Sequence, residues 1–309
     1  SQIGSSYGKI EQNIPKKYIS EDRERASLVL AGCYESRKDA QRLLQLDRRD
    51  PERPYLVWTW GLSLPKNCVF EGGCAFHKQL LERGDIMYGA LDLRDYDLQN
   101  DTAVPLPGVT MAPFASLGAP RVDLESPPKY FVTFQGTLNP GHHGSSTVRK
   151  DLKEAFDAFG AQRRDVYVFV REVHGHYPQS PTYQELMDTA SVLVPHGHGR
   201  WNRRFSDVIQ KCAIPVVLAD GVTLPFEELI DWKDLAPRRP EWLAREPRRL
   251  LDSLPADPAA IRATRRRICA VRDEFFATEE RRAKAFLRSA TVRARQLAGG
   301  GGGGTEGIC

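Results

Sequence analysis

Three arginines that follow a glycine-containing loop could together bind an anionic ligand. Arg200, Arg203 and Arg204 end the loop His196 to Asn202 or directly follow it, and Asp207 lies three residues further on. The loop glycines let the backbone approach a ligand closely, and free N–H groups at a helix start favour negative charge. The residue types and their spacing predict a phosphate site, with a solvated arginine cluster on a helix as the alternative.

The segments around this loop read as one α/β unit. Ser191 to Pro195 is a short apolar run that predicts a buried strand, and Phe205 to Gln210 predicts a helix. Ile214 to Leu218 predicts a second buried strand, and Ala219 to Gly221 predicts a turn at its carboxyl end. This order is typical of a doubly wound sheet, which binds ligands outside the carboxyl ends of its strands.

The same stretch resembles the carboxyl-terminal signature of the exostosin family of glycosyltransferases. The similarity is a long ordered series of positions: Pro195, Gly197, Arg204 to Asp207, Ile214 to Val216, Asp220-Gly221, Leu224 to Phe226 and Asp231-Trp232. One departure concerns a cysteine that usually stands directly before Ile-Pro in the family. Ala213 occupies that position here, and the cysteine is Cys212.

A second similar segment lies upstream. Tyr130 to Gly136 predicts a strand that ends at a glycine, and Thr147 leads into a helix that runs through Phe159. The family likewise ends a strand in Phe-x-Gly and places Ser/Thr-x-Arg beyond a loop. Gly136 would let backbone N–H groups approach a diphosphate, and Arg149 could neutralise it. Taken alone, Arg149 is more often a surface helix residue.

Strands and helices also alternate in the first half of the chain, which predicts a parallel sheet with crossovers. The predicted strands are 26–30, 55–60 and 85–88, and the predicted helices are 36–46 and 76–83. Asp85-Ile86 and the segment Asp101 to Pro107 resemble the family. An Asp-His pair that the family often carries is replaced here by Arg53-Pro54-Tyr55.

The resemblance covers about residues 26–282 and implies an α/β fold of the GT-B type, in which two Rossmann-like domains face each other across a cleft, followed by C-terminal helices. Asp257-Pro258 independently predicts a helix start. The division that we expect is a poorly ordered segment 1–25, a truncated acceptor-side domain 26–116, a linker 117–129, a nucleotide-sugar-binding domain 130–235, helices 236–296 and a disordered glycine-rich tail 297–309.

The resemblance implies an inverting transfer of a sugar from a UDP-sugar donor to a glycan acceptor of the polysaccharide or proteoglycan type. The residues expected to bind the donor are Arg204, Asp207, Arg149, Gly136, His198 and Gly199. Asp207 could accept hydrogen bonds from the ribose hydroxyls, or could simply form an ion pair with a neighbouring arginine. The general base stays open among Glu71, His77, Asp85 and Asp92, with Asp85 and His77 as weak candidates.

We expect no cofactor and a metal-independent site, because residues 130–235 contain no Asp-x-Asp motif and the chain has no C-x-x-C pair. The histidines at 174, 176, 196 and 198 match no helix-borne metal-ligand spacing. His196 or His198 could instead donate a hydrogen bond to a phosphate. Cys68 and Cys74 could form a small disulfide, or both could be free thiols.

The net charge of +4 suits one anionic ligand and does not call for a nucleic-acid partner. The basic residues Arg265 to Arg267, Arg281 and Arg282 predict the solvated face of a C-terminal helix, with a membrane-surface or anionic-polymer role as the alternative. From the resemblance we expect the lumenal part of a type II Golgi membrane protein whose anchor lies outside this sequence, which begins at Ser1 and looks like a fragment. We also expect a homo- or hetero-oligomer with related glycosyltransferases.

Two other classes remain open. The first is a catalytically silent exostosin-like subunit that assembles with an active glycosyltransferase. The missing Asp-His pair favours it, whereas Arg204 and Asp207 oppose it. The second, a nicotinamide-dependent enzyme, is disfavoured because no G-x-G-x-x-G follows a predicted strand.

Overall fold

The computed structural model of the chain describes residues 29–33, 37–47, 55–58, 79, 83, 86–90, 94–97, 102–105, 108–110, 122–138, 147–159, 163–172, 176–196 and 203–299. No helix in this part of the chain combines the length and the hydropathy that crossing a membrane requires.

The first half contains a four-stranded parallel sheet. Its strands are β1 (Val29–Cys33), β2 (Tyr55–Trp58), β3 (Ile86–Ala90) and β6 (Gly108–Thr110), hydrogen-bonded in that order. Helix α1 (Arg37–Leu44) follows β1. Strands β4 (Arg94–Asp97) and β5 (Thr102–Pro105), which lie between β3 and β6 along the chain, form a separate antiparallel pair.

The second half contains another four-stranded parallel sheet, in the order β10-β9-β7-β8. Its strands are β7 (Val132–Thr137), β8 (Val166–Arg171), β9 (Ser191–Pro195) and β10 (Ile214–Leu218). The helices between them are α2 (Val148–Phe159), α3 (Tyr183–Met187) and α4 (Arg204–Gln210). Strand β7 pairs with β8 along its whole length and with β9 at its amino end, through Val132 and Thr133.

Apolar side chains cover both faces of this second sheet. On one face, Phe134 and Leu193 pack with Leu152 and Phe156 of α2. On the other face, Val192 and Val194 pack with the buried residues of α4, among them Phe205 and Ile209. Helices on both faces of a parallel sheet are what the doubly wound pattern predicted.

Helices that follow the second sheet return to the first half of the chain. They are a 3₁₀ turn (Glu241–Arg245), α5 (Pro247–Asp252), α6 (Pro258–Val271), a π turn (Arg272–Phe276) and α7 (Glu279–Gly299). Ala290 and Ala294 of α7 belong to the same buried cluster as Leu56 of β2 and Met87 of β3. The last helix therefore helps to join the two sheets.

The predicted fold class, α/β with parallel sheets and C-terminal helices, is confirmed. The predicted helix start at Asp257 is also confirmed, because its side chain accepts a hydrogen bond from the Ala260 N–H at 2.8 Å. The first strand begins three residues later than predicted, at Val29. The helix predicted at 76–83 lies almost wholly outside the described residues, as do the segment 1–25 and most of the tail.

Arg265 corrects the prediction of a solvated basic face. Its side chain is only 1% exposed, its Nε donates to the Cys212 carbonyl at 3.2 Å, and its Nη2 lies 3.5 Å from an Asp188 carboxylate oxygen. Burial lowers the pKa of Arg265. Its neighbours Arg266 and Arg267 are exposed, as expected. The structure thus makes Arg265 a link between α6 and the second sheet.

A disulfide joins Cys212, just after α4, to Cys269 of α6. The two residues lie 57 positions apart, and Cys212 has a left-handed backbone with φ of 52°. The sequence did not suggest this pairing, and the Cys68–Cys74 pair lies outside the described residues.

Candidate donor-binding site

Arg204, the first residue of α4, lies over the carboxyl end of β7. Its Nη2 donates to the Gln135 carbonyl, and its guanidinium stands 4.5 Å from the Phe134 ring centroid and 5.4 Å from that of Tyr183. Nε and Nη1 are buried and have no hydrogen-bond partner in the described part of the chain. Arg204 is therefore held in place by two aromatic rings and a carbonyl, with two donor atoms left for a ligand.

The segment Leu224 to Trp232, which follows β10, has a packing role that orients α4. Trp232 is 4% exposed, donates through Nε1 to the Pro225 carbonyl at 2.8 Å, and meets the ring of Phe205 edge-on at 5.2 Å. Phe205 directly follows Arg204 in the chain. The Leu224 to Trp232 segment thus fixes the helix from which Arg204 projects.

Arg149, in the first turn of α2, reaches the same end of β7. Its Nη1 donates to the Thr137 carbonyl at 2.9 Å, and its Nε is buried with no hydrogen-bond partner among the described residues. Burial, together with the charge of Arg204, lowers the pKa of Arg149 to about 10. Two like charges are therefore held close together and partly desolvated, an arrangement that a diphosphate would stabilise.

Gly136 lies on β7 between the residues whose carbonyls bind the two arginines. A Cβ atom at this position would stand 2.4 Å from Cζ of Phe134 and 2.9 Å from its Cε1. The Phe134 ring therefore lies directly across Gly136, and the same ring supports Arg204. Room for this ring is the role that the structure gives Gly136, while close approach of a diphosphate to its backbone stays a prediction.

Asp207 is 1% exposed and accepts a hydrogen bond from the Tyr183 hydroxyl at 2.9 Å. Burial, with a further contribution from the Asp207 charge, raises the pKa of Tyr183, so its hydroxyl is a neutral donor. Tyr183 begins α3, which a capping box between Thr182 and Glu185 fixes at its start. Asp207 thus orients the ring beneath Arg204, and its predicted contact with ribose stays a prediction.

His196 follows the last residue of β9 and is 6% exposed. Its Nδ1 lies 3.0 Å from Oε1 of Glu241, and the same oxygen accepts the Asp220 N–H at 2.9 Å. The Glu241 N–H is in turn 3.2 Å from Oδ1 of Asp220. These contacts fix the plane of the imidazole at the carboxyl end of the sheet, and no motif in the sequence pointed to Glu241.

Sequence reasoning also missed a cluster at the carboxyl end of β8. The Thr137 hydroxyl lies 2.5 Å from the Tyr177 hydroxyl and accepts a hydrogen bond from Arg171 Nη2 at 3.1 Å. The Arg171 guanidinium stands 4.4 Å from the Tyr177 ring centroid. Thr137 therefore joins this cluster to Arg149.

Comparison with known proteins shows which family the chain belongs to. The model of the exostosin GT47 domain matches residues 77–254, a range that contains Arg149, Tyr183, Arg204 and Asp207. The chain belongs to the exostosin GT47 family.

Similar curated proteins carry glycosyltransferase names. A probable glucuronosyltransferase of Oryza sativa subsp. japonica is 26% identical over 178 residues, which are 53% of this chain and 40% of that protein. A probable beta-1,4-xylosyltransferase of Arabidopsis thaliana is 24% identical over 175 residues, with the same two coverages. Exostosin-1a of Danio rerio is 38% identical over 55 residues, 18% of this chain and 8% of that protein. The chain spans 40% of the length of the two plant relatives.

Two solved structures were also similar. A GtfA/B complex matches at 12% identity and a TM-score of 0.40, over 83% of this chain and 60% of that one. The UDP-forming α,α-trehalose-phosphate synthase of Burkholderia xenovorans matches at 11% identity and a TM-score of 0.41, over 82% and 76%.

The remaining predicted site residues of this exostosin-family chain lie outside the described residues: His198, Gly199, His77, Asp85, Glu71 and Asp92. Within the described residues, no group of three or more metal-ligating side chains occurs. An Asp-x-Asp spacing, Asp95 to Asp97, does occur in the first half, on β4. A cavity of about 710 Å³ is lined by residues 227–233 and 236–239 and holds none of the predicted site residues.

Proposed function

We propose that the chain transfers a sugar from a UDP-sugar donor to a glycan acceptor of the polysaccharide or proteoglycan type, with inversion at the sugar carbon. Membership of the exostosin GT47 family supports the reaction class. The names of the plant relatives, a probable glucuronosyltransferase and a probable xylosyltransferase, support a nucleotide-sugar donor.

The observation that carries this proposal is the pair of arginines at the carboxyl end of β7. Arg149 and Arg204 are both anchored to β7 carbonyls, and three of their nitrogen atoms are buried without a partner among the described residues. The diphosphate leaving group gains negative charge as its bond to the sugar breaks. Fixed cations with unused donors, already in place before the reaction, stabilise that charge.

We propose that the arginines do this without a divalent cation, since two guanidinium groups can supply the charge that a metal ion supplies elsewhere. The acceptor hydroxyl would attack from the face opposite the diphosphate and lose its proton to a base from the first half of the chain. Asp85 and His77 are the candidates for that base. We propose no cofactor and no nucleic-acid partner.

We further propose that the chain acts in the Golgi lumen as part of a type II membrane protein and assembles with related glycosyltransferases. The Cys212–Cys269 disulfide supports an oxidising compartment. Family membership supports the Golgi assignment and the possibility of assembly.

An activity assay tests the reaction. The chain is incubated with a panel of UDP-sugars and oligosaccharide acceptors in excess chelator, UDP release is measured, and the anomeric configuration of the product is read by NMR. We expect release with at least one donor, an inverted product, and loss of activity in Arg204→Gln. Arg266→Gln is the matched control, because Arg266, on α6, is exposed and pairs with Glu125.

Two outcomes would contradict the proposal. No UDP release from any donor by the folded chain, with UDP still bound, would favour the silent-subunit alternative. Activity that disappears in chelator would contradict the metal-independent mechanism.

A further inference from the structure

Tyr177 is unusual because it is both exposed and rigidly held. Its side chain is 41% exposed, yet its hydroxyl is 2.5 Å from the Thr137 hydroxyl and Arg171 lies 4.4 Å from its ring centroid. Phe169 of β8 packs against it at 6.4 Å between ring centroids. These contacts hold the ring in one orientation while part of it stays exposed to solvent. The exposed part of the ring is therefore available to a ligand.

The position of Tyr177 connects it to the arginine pair. Thr137, the last residue of β7, accepts a hydrogen bond from Arg149 through its carbonyl at 2.9 Å and contacts Tyr177 through its hydroxyl. Burial lowers the pKa of Arg149, and Tyr177 acts in the opposite direction and raises the pKa of Arg149. A single residue, Thr137, therefore contacts both Tyr177 and the arginine that would bind the diphosphate.

We propose that Tyr177 is the stacking platform for the pyrimidine base of the nucleotide donor. This inference rests on the function proposed above. In a nucleoside diphosphate a single ribose separates the base from the phosphates, so a site for the base must lie close to the phosphate site. The Arg171 guanidinium lies against the Tyr177 ring, and Thr137 contacts the Tyr177 hydroxyl. Proteins commonly bind unpaired bases by stacking them on an aromatic side chain.

Trp242 is a useful contrast. It is 46% exposed and carries Arg249 at 4.9 Å from its ring centroid, so it has the same aromatic and cationic pairing. Arg249 forms its ion pair with Glu246, at 2.8 Å, so the cation beside Trp242 belongs to α5 and not to the arginine pair. We therefore assign Trp242 no part in the donor site and use it as the matched control.

The test compares two ligands on the intact chain by calorimetric titration: UDP, and inorganic diphosphate, which lacks the base. In Tyr177→Ala we expect UDP to bind roughly 5- to 150-fold more weakly, with diphosphate affinity unchanged. Tyr177→Phe should keep most of the UDP affinity, because it keeps the ring face. Trp242→Ala should leave both affinities unchanged.

The outcomes separate this inference from the proposed function. An equal loss of UDP and diphosphate in Tyr177→Ala would mean that Tyr177 acts through Arg149 and would overturn the platform. UDP binding that is unchanged in Tyr177→Ala would overturn it as well. If the unaltered folded chain binds neither ligand, the proposed donor site fails and the platform fails with it.

Discussion

Replacing Arg149 with methionine should stabilise the ligand-free protein and weaken its response to nucleotide. Arg149 holds a charge that burial and Arg204 both oppose, which is why the pKa of Arg149 falls to about 10. The folded state therefore binds this proton less tightly than the unfolded chain does. The charge opposes folding at every pH below about 10, and the opposition fades as the pH rises from there towards the ordinary arginine value.

The size of the effect follows from that pKa. A fall from the ordinary value to about 10 corresponds to about 3 kcal/mol against the charged form. The methionine variant also lacks the hydrogen bond from Arg149 to the Thr137 carbonyl, and this loss offsets about 1–2 kcal/mol of the gain in stability. The net gain in unfolding free energy at pH 7 should be about 1–2 kcal/mol, since neutral replacement of a buried charge is often stabilising.

Thermal unfolding with and without UDP measures both effects. At about 2–4 °C per kcal/mol for a protein of this size, Arg149→Met should raise the melting temperature by several degrees, while UDP binds roughly 10- to 150-fold more weakly. Lys150→Met is the matched control, because Lys150 is the next residue, 66% exposed, and paired only loosely with Glu154 at 3.6 Å. A variant that melts earlier than the parent would show that the Arg149 charge does not oppose folding. A variant that keeps its response to UDP would show that Arg149 does not bind the diphosphate.

Three further predictions concern the residues that support the site. Gly136→Ala should lower the free energy of unfolding by about 1–3 kcal/mol through overpacking, and should weaken UDP binding, because the buried Phe134 ring must move. Adding Phe134→Leu should recover part of the lost stability. If the two substitutions lower the stability additively, this contact is contradicted. Cys212→Ala with Cys269→Ala should lower unfolding free energy by about 4 kcal/mol, the value for a loop of this length; denaturant curves identical with and without reductant in the parent would argue against the bond. Tyr183→Phe should lower the free energy of unfolding by about 1–3 kcal/mol, because it removes a hydrogen-bond donor to the buried Asp207. It should weaken UDP binding less than Arg204→Gln does, because the aromatic ring remains. An unchanged denaturation midpoint would contradict the role of the Tyr183 hydroxyl.

Local patterns in the sequence were sufficient for the second sheet. The apolar runs of β9 and β10 and the Asp257 helix cap depend on neighbouring residues, so their periodicity and residue types predict them directly. The resemblance to exostosins assigned Arg149 and Arg204 to one donor site, but it did not predict that both bind carbonyls of β7. Residues far apart in the chain can be assigned to one site when the order of the motifs already implies the fold.

Contacts between distant residues without a motif could not be predicted. His196 meets Glu241 45 residues later, Arg265 reaches Cys212 across 53 residues, and Tyr177 meets Thr137 across 40. Arg265 was assigned to the solvated face together with Arg266 and Arg267 because runs of charged residues are usually solvated, and the sequence does not show which arginine of a basic run points inward. For Gly136, the sequence predicted close approach of a diphosphate to the backbone and did not show that the Phe134 ring lies across the glycine.

A crystal structure of the chain with UDP, grown in chelator, would show directly how the diphosphate is bound. We expect diphosphate oxygens within about 3 Å of Arg149 Nε and of Nε or Nη1 of Arg204, with no metal ion between them. A diphosphate bound away from the carboxyl end of β7, or held there by a divalent cation, would contradict this expectation.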